Sequence, residues 1–553
     1  MASETQVIIV GAGSAGCILA ARLVMQQGLN VTLIEAGGSD LRAEIIMPIG
    51  YGMSFFNRRT NWRYQSEPQP QLDNRRIYIP RGKVVGGSGS INAMVYARGK
   101  PGDFEDWQQA GGIGWDQAAQ LFDRLEGNHL NSLAGSTNDL TAENRIVVAD
   151  VSHQHHPLTD TLLRAASTAG IPLIEDLNTT CQHGIGHYRQ TTHQGRRWSS
   201  ANAFLRPAMK TGRLKLVTKA MVSRILFKGK TATAIIYSSH GRQHELAASH
   251  GVILAGGAIN TPQLMMLSGL AAPDLLEAHG IAPVAGSLPH SMHHVGKHLQ
   301  DHLGLDYRFA TPHASLYRDL GTLAGRVRAG TAYLFGRRGP LALSVNQGGG
   351  FISWQNPGDR ANLQLYLNPI SYSVQEKNRR RLMRPDPFDG FSLGFQPCRP
   401  TSRGSIRLAS TDAAAPPLID PGYLADSSDW HDVEAGFGMI AALCRAPAMQ
   451  ALIRQPLTID PASASKHDLI ADFRARATTI HHFCGSCRLS RLPQDGVVRP
   501  DFRVHGMENL YIADASVFPN ITSGNTNAPV MMNALHAAQQ IMPQLAASIT
   551  GRG

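Results

Sequence analysis

The chain has no apolar run of the roughly 18 residues that a membrane-spanning helix needs. Cysteine is sparse, at positions 17, 181, 398, 444, 484 and 487. Six in 553 residues are too few for a disulfide framework, so a reducing, cytoplasmic setting is expected. The opening Met1-Ala2-Ser3-Glu4-Thr5-Gln6 carries no positive residue and does not read as a signal peptide. Charged residues make up 17%, below the ~25% of ordinary soluble domains, and no low-complexity block or internal repeat is visible. That excludes disorder as a main theme. A net charge of +11 is the one imbalance. It is spread over scattered pairs such as Arg58-Arg59 and Arg337-Arg338, with one dense run, Lys377-Asn378-Arg379-Arg380-Arg381. Nucleic-acid binding would need a basic stripe along one face, so no nucleic-acid partner is expected. The surplus reads as a solvated surface that can steer an anionic substrate or rest against an acidic membrane, which allows peripheral association with its inner face.

What is present begins with length. At 553 residues the chain exceeds what one hydrophobic core supports, so two domains or more are expected. Val7-Ile8-Ile9-Val10 is a continuous apolar run, as in a strand buried on both faces. Gly11-Ala12-Gly13-Ser14-Ala15-Gly16 follows, then a helix-compatible stretch from Cys17 to Gln27 and a second apolar run, Val31-Thr32-Leu33-Ile34, ending at Glu35. Gly11 permits the tight turn, Gly13 lets backbone N–H groups approach a pyrophosphate, and Gly16 allows close helix–strand packing. The helix N-terminus favours phosphate charge, and Glu35 can accept hydrogen bonds from a ribose diol. A dinucleotide site is the reading, without distinguishing FAD from NAD.

Three more segments carry chemistry. Arg81 to Gly99 holds two glycine clusters among small residues and suggests backbone pressed against a flat ligand. Gly251 to Ala255 reads as a strand leading through Gly256-Gly257 into a helix, with Pro262 near its start, where a missing N–H does little harm. Near the end, a strand runs into Asp514, and Ser523-Gly524-Asn525-Thr526-Asn527-Ala528-Pro529 leads into a helix from Val530.

In these four motifs and their order the chain resembles the glucose–methanol–choline (GMC) oxidoreductases, FAD-dependent alcohol oxidases and dehydrogenases. Within them, Asn92-Ala93-Met94-Val95-Tyr96 and Gly296-Lys297-His298-Leu299-Gln300-Asp301-His302 are most similar to bacterial choline dehydrogenases and related alcohol dehydrogenases. The resemblance implies an α/β fold with a Rossmann-like FAD-binding domain (1–155, 195–305 and 480–553). A substrate-binding α+β domain with an antiparallel sheet would take 156–194 and 306–479. It also implies a cofactor site formed by Gly11, Gly13, Ser14, Ala15, Gly16, Glu35 and Ala36. Val85, Asn92, Ala93, Met94, Val95, Val222, Asp514, Ala515 and Ala528 would complete it. Some relatives tether the flavin through a histidine. Here Ile91 holds that position, so FAD is expected to be noncovalent.

The resemblance places the catalytic pair at His482 and Asn527. Ile480-His481-His482-Phe483-Cys484-Gly485-Ser486-Cys487 matches the family's histidine loop through Gly485 and Cys487. An imidazole suits removal of a hydroxyl proton at neutral pH, and an amide can hold the substrate oxygen. His481, Phe483 and Gln347 are expected to line or pack the substrate pocket. Gln347 stands where choline-oxidising relatives tend to have a glutamate, which moves the expectation from choline to a neutral primary alcohol. A quinone-type electron acceptor is expected, with an O₂-using oxidase, a choline dehydrogenase and a flavin-containing lyase as alternatives. The Cys484–Cys487 pair reads as packing, not as a redox or metal motif, since no βαβ context and no second ligand pair accompany it.

Overall fold

The computed structural model describes residues 5–127, 144–284, 289–355, 360–373 and 384–550; the basic run at 377–381 lies outside them. A parallel sheet forms the first half of the molecule. Its order is Leu510–Ile512, Gly251–Leu254, Val7–Val10, Val31–Ile34, Leu214–Val217. Ile8 pairs with Val252 on one side and Thr32 on the other, so the first strand is central. Such a strand is covered on both faces, which is why its four residues are all apolar. The helix Ser14–Gln27 packs against the sheet and against the long helix Asn527–Thr550. Strands Ala220–Lys228, Thr231–Ser239 and Arg242–Ala247 add a small antiparallel sheet.

The second half is a larger antiparallel sheet containing Leu303–Ala310, Gly390–Pro397, Leu363–Asn368, Gly348–Ile352 and Gly184–His187. Alternation along its strands sets two faces. Leu363, Leu365 and Leu367 join Leu305, Tyr307, Leu393 and Phe395 in one apolar core with the helices Pro157–Ser167 and Asp429–Arg445. The alternate residues, Asp306, Tyr366 and Asn368 among them, line a cavity between the two halves. Residues 404–420 fall within the stretch expected in the substrate-binding part. Their Ile406, Leu408 and Ile419 pack into the first core instead, beside the strand Lys297–Leu299.

Pro262 lies inside the helix Gly257–Leu267 and not at its start. A proline there frees the carbonyl four residues earlier, that of Ala258. The Ser486 hydroxyl donates to that oxygen at 2.5 Å, so the histidine loop repairs the helix it packs against.

Candidate active site

A cavity of about 430 Å³ reaches from Glu35, past the two glycine loops, to His482 and Asn525. The loops touch: Gly87, with φ of +56°, lies so near Gly13 that a Cβ on it would sit 2.8 Å from the Gly13 Cα. A Cβ on Gly16 would meet the Gly11 carbonyl oxygen at 1.9 Å, which is the close packing expected of it. The helix Ser14–Gln27 has no side-chain cap at its N-terminus, leaving backbone donors for an anion. Glu35 is buried, and burial raises its carboxyl to about 7. Its oxygens accept from Ala12 N at 3.0 Å and Gly37 N at 2.7 Å. Ala220 N donates to the Glu35 carbonyl, which brings Ala220, Met221 and Val222 to the same end of the cavity. Asp514 ties the third glycine turn down, accepting from Gly257 N and Thr261 Oγ1.

The expected cofactor residues Gly11, Gly13, Ser14, Ala15, Glu35, Ala36, Asn92, Ala93, Met94, Val95, Val222, Asp514 and Ala515 all line this cavity. Gly16, Val85 and Ala528 do not; they are buried behind it. Ile91 lines it too, and its alkyl side chain offers no nucleophile.

His482 is held by three consecutive residues from the segment before the large sheet. The Gln300 backbone pairs with Cys484 in both directions. Asp301 Oδ1 accepts from the His482 backbone N–H at 2.6 Å, and its Oδ2 accepts from the hydroxyls of Tyr423 and Thr479. His302 Nδ1 lies 2.9 Å from His482 Nδ1, and His302 Nε2 lies 2.8 Å from the Cys398 carbonyl oxygen. A carbonyl only accepts, so His302 carries its proton on Nε2 and its Nδ1 is an acceptor. His482 therefore donates from Nδ1, and its Nε2 keeps a lone pair. Asn525 Nδ2 donates to that nitrogen at 3.1 Å. Burial lowers His302 to about 4 and holds His482 well below the usual imidazole range, with neighbouring His302, His481 and Arg81 adding to the effect. At neutral pH His482 is therefore uncharged.

The structure departs from the sequence expectation at two positions. Asn527 does not reach His482. It opens the final helix, which starts three residues earlier than expected, and its Oδ1 accepts from Ser14 Oγ at 2.7 Å beside the first glycine loop. Asn525, two residues upstream, is the amide at the base. Asn527 still lines the cavity, whereas Gln347 does not. Its Oε1 accepts from His156 N and Thr159 Oγ1, both at 2.8 Å, where the helix Pro157–Ser167 begins. Its neighbour Asn346 faces the cavity instead, so the neutral side chain of Gln347 bears on that helix start and not on the choice of alcohol. Phe483 is buried in the first core and lines the cavity, and His481 lines it with its ring edge against Phe55. Cys484 and Cys487 are buried free thiols; Cys487 Sγ sits 3.9 Å from Met265 Sδ.

Two predictions arise here. Replacing His302 by leucine leaves the His482 Nδ1 proton without an acceptor and frees the ring to carry it on Nε2. Flavin reduction by substrate is expected to slow ~10–100-fold. Its pH profile shifts as well, and His302→Gln, which retains an acceptor oxygen, restores part of the rate. An unchanged rate and profile in His302→Leu would remove it from the relay. The second concerns acid stability. Among the described residues, burial lowers ten histidines. The unfolded chain titrates them near ~6.5, so below that pH it binds protons that the native state refuses. Stability from these groups is present above ~6.5 and lost as the pH falls. Six buried carboxylates are raised and act in the opposite sense. With ten against six, the melting temperature in excess FAD is expected to fall between pH ~6.5 and ~4.5; a flat or rising curve would contradict it.

A parallel sheet with a dinucleotide-type glycine turn faces an antiparallel sheet, with a buried neutral histidine between them, and this arrangement is of the oxidoreductase kind. The chain belongs to the GMC oxidoreductase family: the family's N-terminal model matches residues 5–304 and its C-terminal model residues 400–534. It is 38% identical to the alcohol dehydrogenase [acceptor] of Pseudomonas putida, covering 97% of this chain and 95% of that one. It is 36% identical to mitochondrial choline dehydrogenase of Homo sapiens, covering 98% and 90%. The fold superposes on pyridoxine 4-oxidase from Mesorbium loti with a TM-score of 0.83 at 25% identity, covering 98% and 99%. The cofactor is FAD and the chain is an oxidoreductase acting on alcohols. No helix among the described residues is long and apolar enough to cross a membrane.

Proposed function

We propose that this chain oxidises a primary alcohol to the aldehyde with noncovalent FAD, with His482 as the base and Asn525 as the partner of the substrate oxygen. The observation that carries the reading is the one-way chain from the Cys398 carbonyl through His302 to His482, which leaves the His482 Nε2 as the acceptor on the cavity side, facing the exchangeable amide of Asn525. FAD, when bound, supplies the acceptor for the carbinol hydride. Gly13, Gly87 and the N-terminus of the helix Ser14–Gln27 would hold its pyrophosphate, and Glu35 its ribose. His482 Nε2 takes the hydroxyl proton, and burial keeps it unprotonated beforehand. In the resting site Asn525 Nδ2 donates to the His482 Nε2 lone pair; the substrate hydroxyl displaces it there, and the released amide N–H then holds the oxygen as negative charge develops on it. The similarity to an acceptor-dependent alcohol dehydrogenase favours a quinone-type acceptor.

The test is anaerobic mixing of the purified yellow protein with single alcohols while the visible flavin band is followed. Bleaching by an alcohol supports the reading, and admitting air then separates an oxidase from a dehydrogenase. A flavin that stays oxidised with alkanols, benzylic alcohols and choline alike sinks it and favours a lyase.

A further inference from the structure

A second cavity, of about 1120 Å³, adjoins the first. His481, Phe55, Trp62, Tyr372 and Asp306 line both and form the throat between them. Seven cationic side chains line this vestibule against two carboxylates, Glu67 and Asp306. Three of the seven hold a carboxylate: Arg76 with Glu67, Arg308 with Asp386 and Arg476 with Asp472. Arg75 donates to the carbonyls of Arg474 and Ala477. Arg58, Arg63 and Lys83 have no carboxylate partner among the described residues. Arg63 adds a second observation: its Nε is buried without any hydrogen-bond partner. Its backbone stands at φ of +61°, with its N–H held by Asn61 Oδ1 at 2.9 Å. A non-glycine residue in that region is uncommon, and here it sets Arg63 in the wall of the cavity with its Nε unpaired. At the throat burial raises the Asp306 carboxyl, with Arg476 and Arg308 acting against that rise.

We propose that the vestibule is a binding site for a small organic anion, with Arg58 and Arg63 as its recognition residues. The inference rests on the proposed alcohol oxidation only for the ligand's role. A carboxylate-bearing alcohol would enter as substrate, its hydroxyl passing the throat toward His482. An anionic electron acceptor would dock in the vestibule itself. Positive walls around a confined cavity raise the local concentration of either, and the effect fades with salt.

The experiment has three arms on the FAD-loaded protein. In the first, flavin reduction is timed with 6-hydroxyhexanoate, hexane-1,6-diol and 6-aminohexan-1-ol, alike in length and different in charge. In the second, the reduced flavin is reoxidised by ferricyanide or by ferrocenium. In the third, non-reacting hexanoate is titrated calorimetrically. If substrate is the source, 6-hydroxyhexanoate leads the amino alcohol by ~10-fold or more at ~20 mM salt, and the gap closes near ~500 mM. If the acceptor is the source, the same pattern separates ferricyanide from ferrocenium. Hexanoate binding weakens with salt in either case, and the Arg58→Gln/Arg63→Gln double variant abolishes it while its melting temperature holds. Hexanoate binding that ignores salt and both substitutions, with no charge preference in the kinetic arms, overturns the proposal. Should no alcohol bleach the flavin, the calorimetric arm still decides, because it needs no turnover.

Discussion

His482→Ala slows substrate-driven flavin bleaching by ~10²–10⁴-fold, the range expected when a positioned general base is removed. The loss is chemical and not structural, because these contacts that hold the loop do not use the His482 ring. The residue-482 N–H still donates to Asp301, Cys484 still pairs with Gln300, and Ser486 still satisfies the Ala258 carbonyl. FAD content and melting temperature are therefore expected to stay near those of the parent. The base is neutral well below the usual imidazole pKa, so the parent's rate of flavin reduction is expected to stay flat from pH ~6.5 upward as far as this group governs it. It falls only under acid conditions. In the alanine variant the acid limb disappears, and added imidazole restores part of the rate. A variant that reduces its flavin at the parent's rate would leave His481 as the next candidate. That ring also lines the cavity and is lowered by burial to about 3.

The parts of this site that could be read from the chain are those whose signal is local. A strand, a glycine turn and an acid at the end of the next strand are spelled out within 29 residues, from Val7 to Glu35, and the fold keeps them adjacent. The histidine loop was legible because Gly485 and Cys487 fix its register. The chain is harder to read where one or two residues of phase decide which way a side chain points. Gln347 and Asn346 are neighbours leading into a strand and face opposite sides, so proximity in sequence did not tell which reaches the substrate. Asn525 and Asn527 flank Thr526; the resemblance points to the later one, and in the structure the earlier one lies beside His482 while the helix starts at Asn527. His302 carries no local signature of a role. Its contact with His482 spans 180 residues of sequence, and no local pattern announces such a pair. The polar face of the large sheet is local in signal: Leu363-Gln364-Leu365-Tyr366-Leu367-Asn368 alternates apolar and polar residues through its whole length.

The two asparagines give the second large effect, and they separate by readout. Asn525 Nδ2 lies 3.1 Å from the base, and Asn525→Ala is expected to lower flavin reduction at saturating substrate by ~10²–10³-fold, the cost of losing a preorganised donor to a developing oxyanion. FAD retention is expected to hold, since Asn525 has no bond to the glycine loops. Asn527 is bonded to Ser14 at the first helix, where the pyrophosphate would lie, and has no bond to His482. Asn527→Ala is expected to weaken FAD retention on dialysis and to reduce flavin at close to the parent's rate once FAD is resupplied. Neither outcome depends on which alcohol is natural, because both are measured against the parent with the same substrate. The reverse pattern, with reduction lost in Asn527→Ala and kept in Asn525→Ala, would move the catalytic amide to the start of the final helix. The Asn525 bond to His482 would then be only a brace for the resting imidazole.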